Sequence, residues 1–254
     1  MCPFETMHCN RDGGIGVITI NRPDQRNAIN DMLIGELHHA LADIESDPSV
    51  GAVIVTGGTT YFSAGADLKE ARSPGRSEQA NLLFSRIEGL GKPTIAAING
   101  YALGGGLELA LCCDFRIVAE DARLGTPEVQ VGIMPSGGAT FRLTRLLGLA
   151  KTKELIYLGD AISGDEAVRI GLACRVCPPG EALAEARRLA ERLLERAPLS
   201  IRAVKDCIHA GLRMDTEQAI QYVIKAADLL RGTEDYAEGR AAFREKRRPV
   251  WKGR

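Results

Sequence analysis

Two glutamates give this sequence its first suggestion of chemistry. Glu108 lies in "NGYALGGGLELALCCD" (99–114), just after a glycine triplet and inside an otherwise apolar run. Glu128 lies in "GTPEVQVGI" (125–133), where Thr126 can cap a helix, Pro127 suits its first position and the acid falls in its first turn. A buried acid is costly and a glycine triplet is poor in helices and strands, so the pairing around Glu108 needs a reason. Two carboxylates at helix starts are suited to general acid–base work if they converge. Either one alone is also explained by ~0.3–1 kcal/mol of dipole stabilisation in a first turn.

The backbone offers a second kind of chemistry. Gly104–Gly106 leads into a helix, so amides near its start are uncovered by side chains. Such amides bind anions, because unpaired donors and the helix dipole point the same way. "FSAGADLKEA" (62–71) reads as a tight turn ahead of another helix, with Asp67 as an acidic N-cap and Glu70 three residues on. The Ala66 amide falls in that turn. If both turns face one pocket, their N–H groups can grip a single developing oxyanion.

More familiar motifs fail. "GGGLEL" has Leu109 where a dinucleotide fingerprint needs its third glycine, and no G-K-[ST] is present. Ser136 lacks the G-x-S-x-G frame because Met134 occupies the first glycine position. His8, His38, His39 and His209 are tied to no nucleophile by any motif. "CRVC" (174–177) has no second ligand pair at zinc spacing, so Cys174 and Cys177 read as packed strand residues and Cys112 and Cys113 as core thiols.

The elements that must hold these residues alternate. "GIGVITI" (14–20), "GAVIVTG" (51–57), "KPTIAAING" (92–100) and "DFRIVAE" (114–120) are β-branched or apolar runs that read as buried strands. Met32, Leu33, Leu37, Leu41 and Ile44 have helical spacing between the first two. Strand–helix–strand repetition favours an α/β fold with parallel pairing. After about residue 137 the texture becomes helical, broken by Gly148, Gly159, Pro198 and Gly211, with only "GLACRVC" (171–177) strand-like. The apolar faces of these tail helices need covering, by the core or by another subunit.

Composition sets the outer limits. The 254 residues are 45% hydrophobic, enough for a sizeable core without disulfide or metal staples. A net charge of -1 gives no reason to expect nucleic acid or an anionic membrane as partner. No run approaches the ~20 apolar residues of a membrane span, and "MCPFETMHCNRDGG" does not read as a secretory signal. Seven cysteines without framework spacing suit a reducing compartment, so the expected location is cytoplasmic.

Taken together, the segments resemble the crotonase superfamily of enoyl-CoA hydratases and isomerases. "NRPDQRNAIN" (21–30) is similar to that family's first CoA-contacting loop, "FSAGADLKE" to its first oxyanion segment and "NGYALGGGLELALCCD" to its second. "TPEVQVGIMPSGGATFRLTRLLG", "GDAISGDEAVRIGLACRV" and "FREKRRPVWKG" resemble the second catalytic segment, a helix–strand connection and the C-terminal ending. The resemblance implies an α/β spiral of ββα units, expected over 1–196, with a C-terminal helical trimerisation region over 197–254. It implies homotrimers or homohexamers, a CoA thioester substrate, and no cofactor beyond the coenzyme A that the substrate carries.

The site residues follow from the same resemblance. The amides of Ala66 and Gly105 would form the oxyanion hole, and Glu108 and Glu128 match the two acids of the family's hydratases. Arg26, Ala28, Asp67, Leu68 and Lys69 would contact CoA or substrate, with Lys246 near the nucleotide end. No metal is implied. The implied reaction is syn addition of water to a trans-2-enoyl-CoA. Leu107, Ala139 and Phe141 depart from the family's usual residues, so a branched, aromatic or alicyclic acyl chain is as compatible as a fatty one. The alternatives are an isomerase, or other enolate chemistry in the same oxyanion hole. A non-catalytic RNA-binding or scaffolding relative is disfavoured by the balanced charge and the retained acids.

Overall fold

The computed structural model describes residues 4–69 and 74–254. The chain opens with an antiparallel pair, β1 (Met7–Asp12) and β2 (Ile15–Ile20), followed by α1 (Asp31–Ser46). One unit then recurs: a longer strand, a short strand and a helix. Its copies are β3 (Ala52–Thr56), β4 (Tyr61–Ser63) and α2 (Arg76–Gly89); β5 (Thr94–Ile98), β6 (Tyr101–Leu103) and α3 (Gly105–Leu111); and β7 (Phe115–Ala119), β8 (Arg123–Gly125) and α4 (Ala139–Leu147). Next come α5 (Leu149–Leu158), β9 (Ile162–Ser163), α6 (Gly164–Arg169), β10 (Arg175–Cys177) and α7 (Ala182–Leu194). The helices α8 (Pro198–Gly211), α9 (Thr216–Arg231) and α10 (Glu234–Glu245) complete the chain.

The long strands form one sheet in the order β1-β2-β3-β5-β7-β10, parallel from β2 onward. The short strands form another, β4-β6-β8-β9, parallel through β8. Each turn of the coil therefore advances both sheets by one strand, which is the ββα spiral expected from the sequence. Of the long strands, β2, β3, β5 and β7 are buried on both faces, as parallel strands covered by helices must be. Along β3, Val53 and Val55 pack toward Leu33, Leu37, Leu41 and Ile44 of α1. The intervening Ile54 faces Ala182, Ala186 and Ala190 of α7. Those alanines repeat every four residues, so they share one helix face and let α7 lie close to the sheet.

The short strands have no counterpart in the sequence pattern, because three residues are too few to display an alternating period. They form because the longer strands of each unit already lie side by side. Tyr61 pairs with Tyr101 and Tyr101 with Arg123, and the β4–β6 pairing shifts register between Tyr61 and Ser63.

The tail is fastened at a few points. Lys205 of α8 reaches Asp114 at 2.9 Å, beside the Thr94 amide that the same carboxylate accepts at 2.7 Å. Trp251 donates its indole N–H to the carbonyl of Glu195 at 2.9 Å. Val204 and Ile208 on α8, Leu212 just past its end, and Ile220, Val223 and Ile224 on α9 remain exposed in the single chain. Among the described residues, no helix is long and apolar enough to cross a membrane.

Two local expectations need correcting. No helix starts at Asp67: its carboxylate accepts from the Lys69 amide at 3.1 Å, a local turn that competes with helix capping, and α2 begins only at Arg76. Glu70 lies outside the described residues. Cys177 is buried as expected, but Cys174 precedes β10 and is exposed.

Candidate active site

The short strands β4, β6 and β8 are neighbours, and the chain leaving their C-terminal ends supplies Ala66, Gly105 and Glu128 in turn. A parallel bridge fixes the first. Ile29 donates its N–H to the Gly65 carbonyl at 2.7 Å, and Asp67 donates to the Ile29 carbonyl at 2.9 Å. Ala66 sits between those two bonds, so its own N–H stays outside the ladder. Gly105 is the first residue of α3, where an amide has no partner within the helix. A Cβ built on Gly105 would lie 3.6 Å from the Ala66 nitrogen, so the two turns are in contact. Among the described residues, no acceptor is paired with either amide.

The glycine triplet now divides into separate requirements. Gly104 has φ +52°, a conformation that L side chains rarely adopt, and a Cβ there would meet Glu128 Oε1 at 3.1 Å. At Gly105 a Cβ would meet only ordinary contacts of 3.6 Å or more, so the folded chain itself does not demand glycine there. Gly106 rests on the end of β4, where a Cβ would come within 2.4 Å of the Ser63 carbonyl oxygen.

Glu108, in the first turn of α3, is buried. Its Oε1 accepts the N–H groups of Gly137 at 2.7 Å and Ala139 at 3.1 Å, at the entry to α4. Burial pushes this carboxyl above the ordinary range, and the two amides oppose the rise without cancelling it. Gly137 must lack a side chain, because a Cβ would fall 2.4 Å from the Phe84 ring and 2.5 Å from Glu108 Oε2. The Gly137 carbonyl is held in turn by Arg142 Nη1 at 2.9 Å, and Arg142 Nη2 pairs with Glu88 at 2.9 Å.

Glu128 lies in a short 3-10 segment, Pro127–Val131. Thr126 does not cap that segment: its hydroxyl donates to the Leu155 carbonyl at 3.4 Å. Oε2 of Glu128 is buried without a hydrogen-bond partner among the described residues. Burial pushes this carboxyl up to about 7, and the charge of Glu108 adds to the rise. The site thus combines a carboxyl able to stay protonated at neutral pH, a second carboxylate held by amides, and two free N–H donors. Such a set can stabilise an oxyanion while moving a proton on and off neighbouring atoms.

A cavity of about 60 Å³ is lined by Ala66, Gly105 and Glu108, together with Phe84, Ser136 and Arg76. Larger spaces of about 630 and 730 Å³ lie against α8, and neither glutamate lines them.

The expected CoA-contacting residues occupy varied settings. Arg26 is exposed and left-handed at φ +52°, and its carbonyl accepts from the Ala64 amide at 3.0 Å. Ala28 is buried beside it, while Leu68 and Lys69 are exposed just past the Ala66 turn. Asp67 points inward, its carboxylate 3.0 Å from Arg22 Nη2, so this ion pair clamps the 21–30 loop onto the oxyanion turn. Lys246 ends α10, exposed, and no hydrogen bond or ion pair among the described residues joins it to that turn. The sequence reading missed Arg22, Arg76 and the amides of Gly137 and Ala139. Arg22 stood inside the quoted loop motif; backbone amides carry no side-chain signal at all.

The family model described as enoyl-CoA hydratase/isomerase matches residues 10–254. The chain is 40% identical over 245 residues to a short-chain-enoyl-CoA hydratase of Clostridium acetobutylicum, covering 94% of each. It is 41% identical over 254 residues to a crotonyl-CoA hydratase of Syntrophomonas wolfei, covering 96% of this chain and 97% of that protein. A crystal structure of an enoyl-CoA hydratase from Bacillus anthracis superposes with a TM-score of 0.95 at 38% identity, covering 98% of this chain and 100% of that one.

Proposed function

The chain belongs to the enoyl-CoA hydratase/isomerase family, and we propose that it is an enoyl-CoA hydratase, adding water syn across C2–C3 of a trans-2-enoyl-CoA to give a 3-hydroxyacyl-CoA. The observation that carries this reading is the placement of both carboxyls around one turn, with Glu108 on the cavity lined by Gly105 and Ala66 and Glu128 against Gly104.

In this mechanism the thioester oxygen accepts the N–H groups of Ala66 and Gly105. Glu108, ionised, takes a proton from water as its oxygen attacks C3. Electrons from the double bond move toward the thioester, and the enolate oxygen is stabilised by the two amides, each such donor being typically worth ~3 kcal/mol. Glu128, neutral, delivers a proton to C2 on the same face. A proton passing from Glu108 to Glu128 restores the starting pair, so water supplies both added groups. Arg26, Ala28, Leu68 and Lys69 hold the CoA portion, with Asp67 setting their loop through Arg22 and Lys246 reaching the nucleotide end.

The exposed apolar faces of α8 and α9 fit assembly into a homotrimer or homohexamer, and the cysteines suit a cytoplasmic location. Loss of the conjugated enoyl-thioester absorbance on incubation with crotonyl-CoA tests the reaction. No loss with any 2-enoyl-CoA, accompanied by isomerisation of a 3-enoyl-CoA, would replace the hydratase reading with the isomerase one.

A further inference from the structure

Arg76 has no role in the reaction just described, yet its side chain is buried beside the reacting centre, with 7% of the residue exposed. The guanidinium is only partly satisfied. Nη2 donates to the Ile29 carbonyl, and Nε lies 3.1 Å from Asp31 Oδ1. Nη1 is buried and has no hydrogen-bond partner among the described residues. The same residue lines the cavity that Ala66, Gly105 and Glu108 share.

Leaving a guanidinium N–H buried without an acceptor is costly, and an apolar acyl pocket does not require an arginine here. The cavity wall is mixed: Ile29, Ile34, Ala80 and Phe84 are apolar, while Ser77, Asn81 and Ser136 add polar groups beside Arg76. Asn81 Nδ2 donates to the carbonyls of Ser77 and Ser136, both at 2.8 Å, which holds this wall to the entry of α4. The cavity of about 60 Å³ holds a handful of atoms rather than a long hydrocarbon. Asp31 pairs with the guanidinium through Nε, so what is left unsatisfied is the Nη1 donor.

We propose that Arg76 selects a short 2-enoyl group ending in a carboxylate, with the guanidinium Nη1 donating to that carboxylate at the far end of the acyl pocket. This inference rests on the hydratase reading and names its substrate class, the CoA monothioester of an unsaturated dicarboxylic acid. A charge-assisted hydrogen bond supplies the recognition, and the shallow cavity limits the chain length.

The test compares kcat/KM for crotonyl-CoA and for (E)-4-carboxybut-2-enoyl-CoA in the parent, Arg76→Lys and Arg76→Met. The parent is expected to favour the carboxylated thioester at least tenfold. Arg76→Met should lose at least tenfold more on that substrate than on crotonyl-CoA, chiefly through KM, with Arg76→Lys in between. A measurement that needs no variant is inhibition of crotonyl-CoA hydration by saturated analogues. There 4-carboxybutanoyl-CoA should bind the parent at least tenfold more tightly than butanoyl-CoA. A parent that hydrates crotonyl-CoA with no carboxylate preference overturns the Arg76 assignment and leaves the hydratase reading standing, as do equal losses on both substrates in Arg76→Met. A parent that hydrates neither substrate overturns the Arg76 assignment, and the hydratase reading falls with it only when every other 2-enoyl-CoA fails too.

Discussion

The Glu108 carboxylate is held at 2.7 Å by the amide of Gly137, a residue from the next turn of the coil. The acid and its holder are 29 positions apart, so the catalytic geometry of Glu108 is a tertiary property and not a feature of α3. It depends on Gly137 remaining bare.

A methyl group at that position is therefore expected to be costly. Gly137→Ala would force apart the Phe84 ring, the Glu108 carboxylate and the segment entering α4. Overpacking of this kind destabilises by about 1–3 kcal/mol. The expected result is a lower Tm together with at least a tenfold fall in kcat, measured on crotonyl-CoA. An unchanged kcat would show that the two amides do not set the position of Glu108.

Each acid should matter separately to turnover. Glu108→Gln and Glu128→Gln are expected to lower kcat at least ~100-fold, the usual reach of general acid–base catalysis. Circular dichroism should show both variants folded. Near-parent turnover in either would remove that residue from its role.

The pH dependence follows from Glu128, held near 7 by burial and by the charge of Glu108. Hydration begins with one proton on the glutamate pair, so kcat/KM should fall as pH rises through about 7. Dehydration of the 3-hydroxyacyl-CoA starts from a pair carrying the same single proton, and so should show the same alkaline limb. In Glu128→Gln the limb should vanish from whatever activity remains. Stability has the same sign. The native state holds this proton more tightly than the unfolded chain, so the contribution is full below the ordinary value of 4.5 and is lost as pH rises toward about 7. Chemical denaturation of the parent and of Glu128→Gln across that interval measures the difference.

Arg142 is a positioning residue, acting through the Gly137 carbonyl. Its ion pair with Glu88 is largely buried, and removing one partner of such a pair costs about 3–5 kcal/mol. Arg142→Met should lower Tm and kcat together. The double variant with Glu88→Gln should lose less than the sum of the single losses, because each single change leaves the other charge unpaired. Strict additivity in the cycle would mean that the pair does not act as a unit.

The long strands were legible because runs such as "GAVIVTG" carry enough β-branched residues between glycines to declare themselves. The short strands were not, since β4, β6 and β8 are assembled by neighbours that the sequence does not display as neighbours. Glu108 and Glu128 could be picked out by residue type and first-turn position. The hand that holds Glu108 could not, because the donors are backbone amides. Asp67 was misjudged for a definite reason: an aspartate can bond the amide two residues on instead of opening a helix, and only tertiary context decides between the two. Arg76 stayed hidden in "SPGRSEQ", which looks like any polar helix entrance until α2 is seen to bury it against Ile29.

The exits of β4, β6 and β8 have a consequence for how this protein could be cut. Adjacent strands in a sheet stand ~4.8 Å apart, so the ruler that spaces the oxyanion turn, the α3 entrance and Glu128 is a ladder of interstrand hydrogen bonds. Covalent length between the repeats plays no part in that gauge. Two fragments divided in a surface connection between repeats would recover the same spacing on reassociating, whereas a one-residue deletion inside a short strand would throw the instrument out of true.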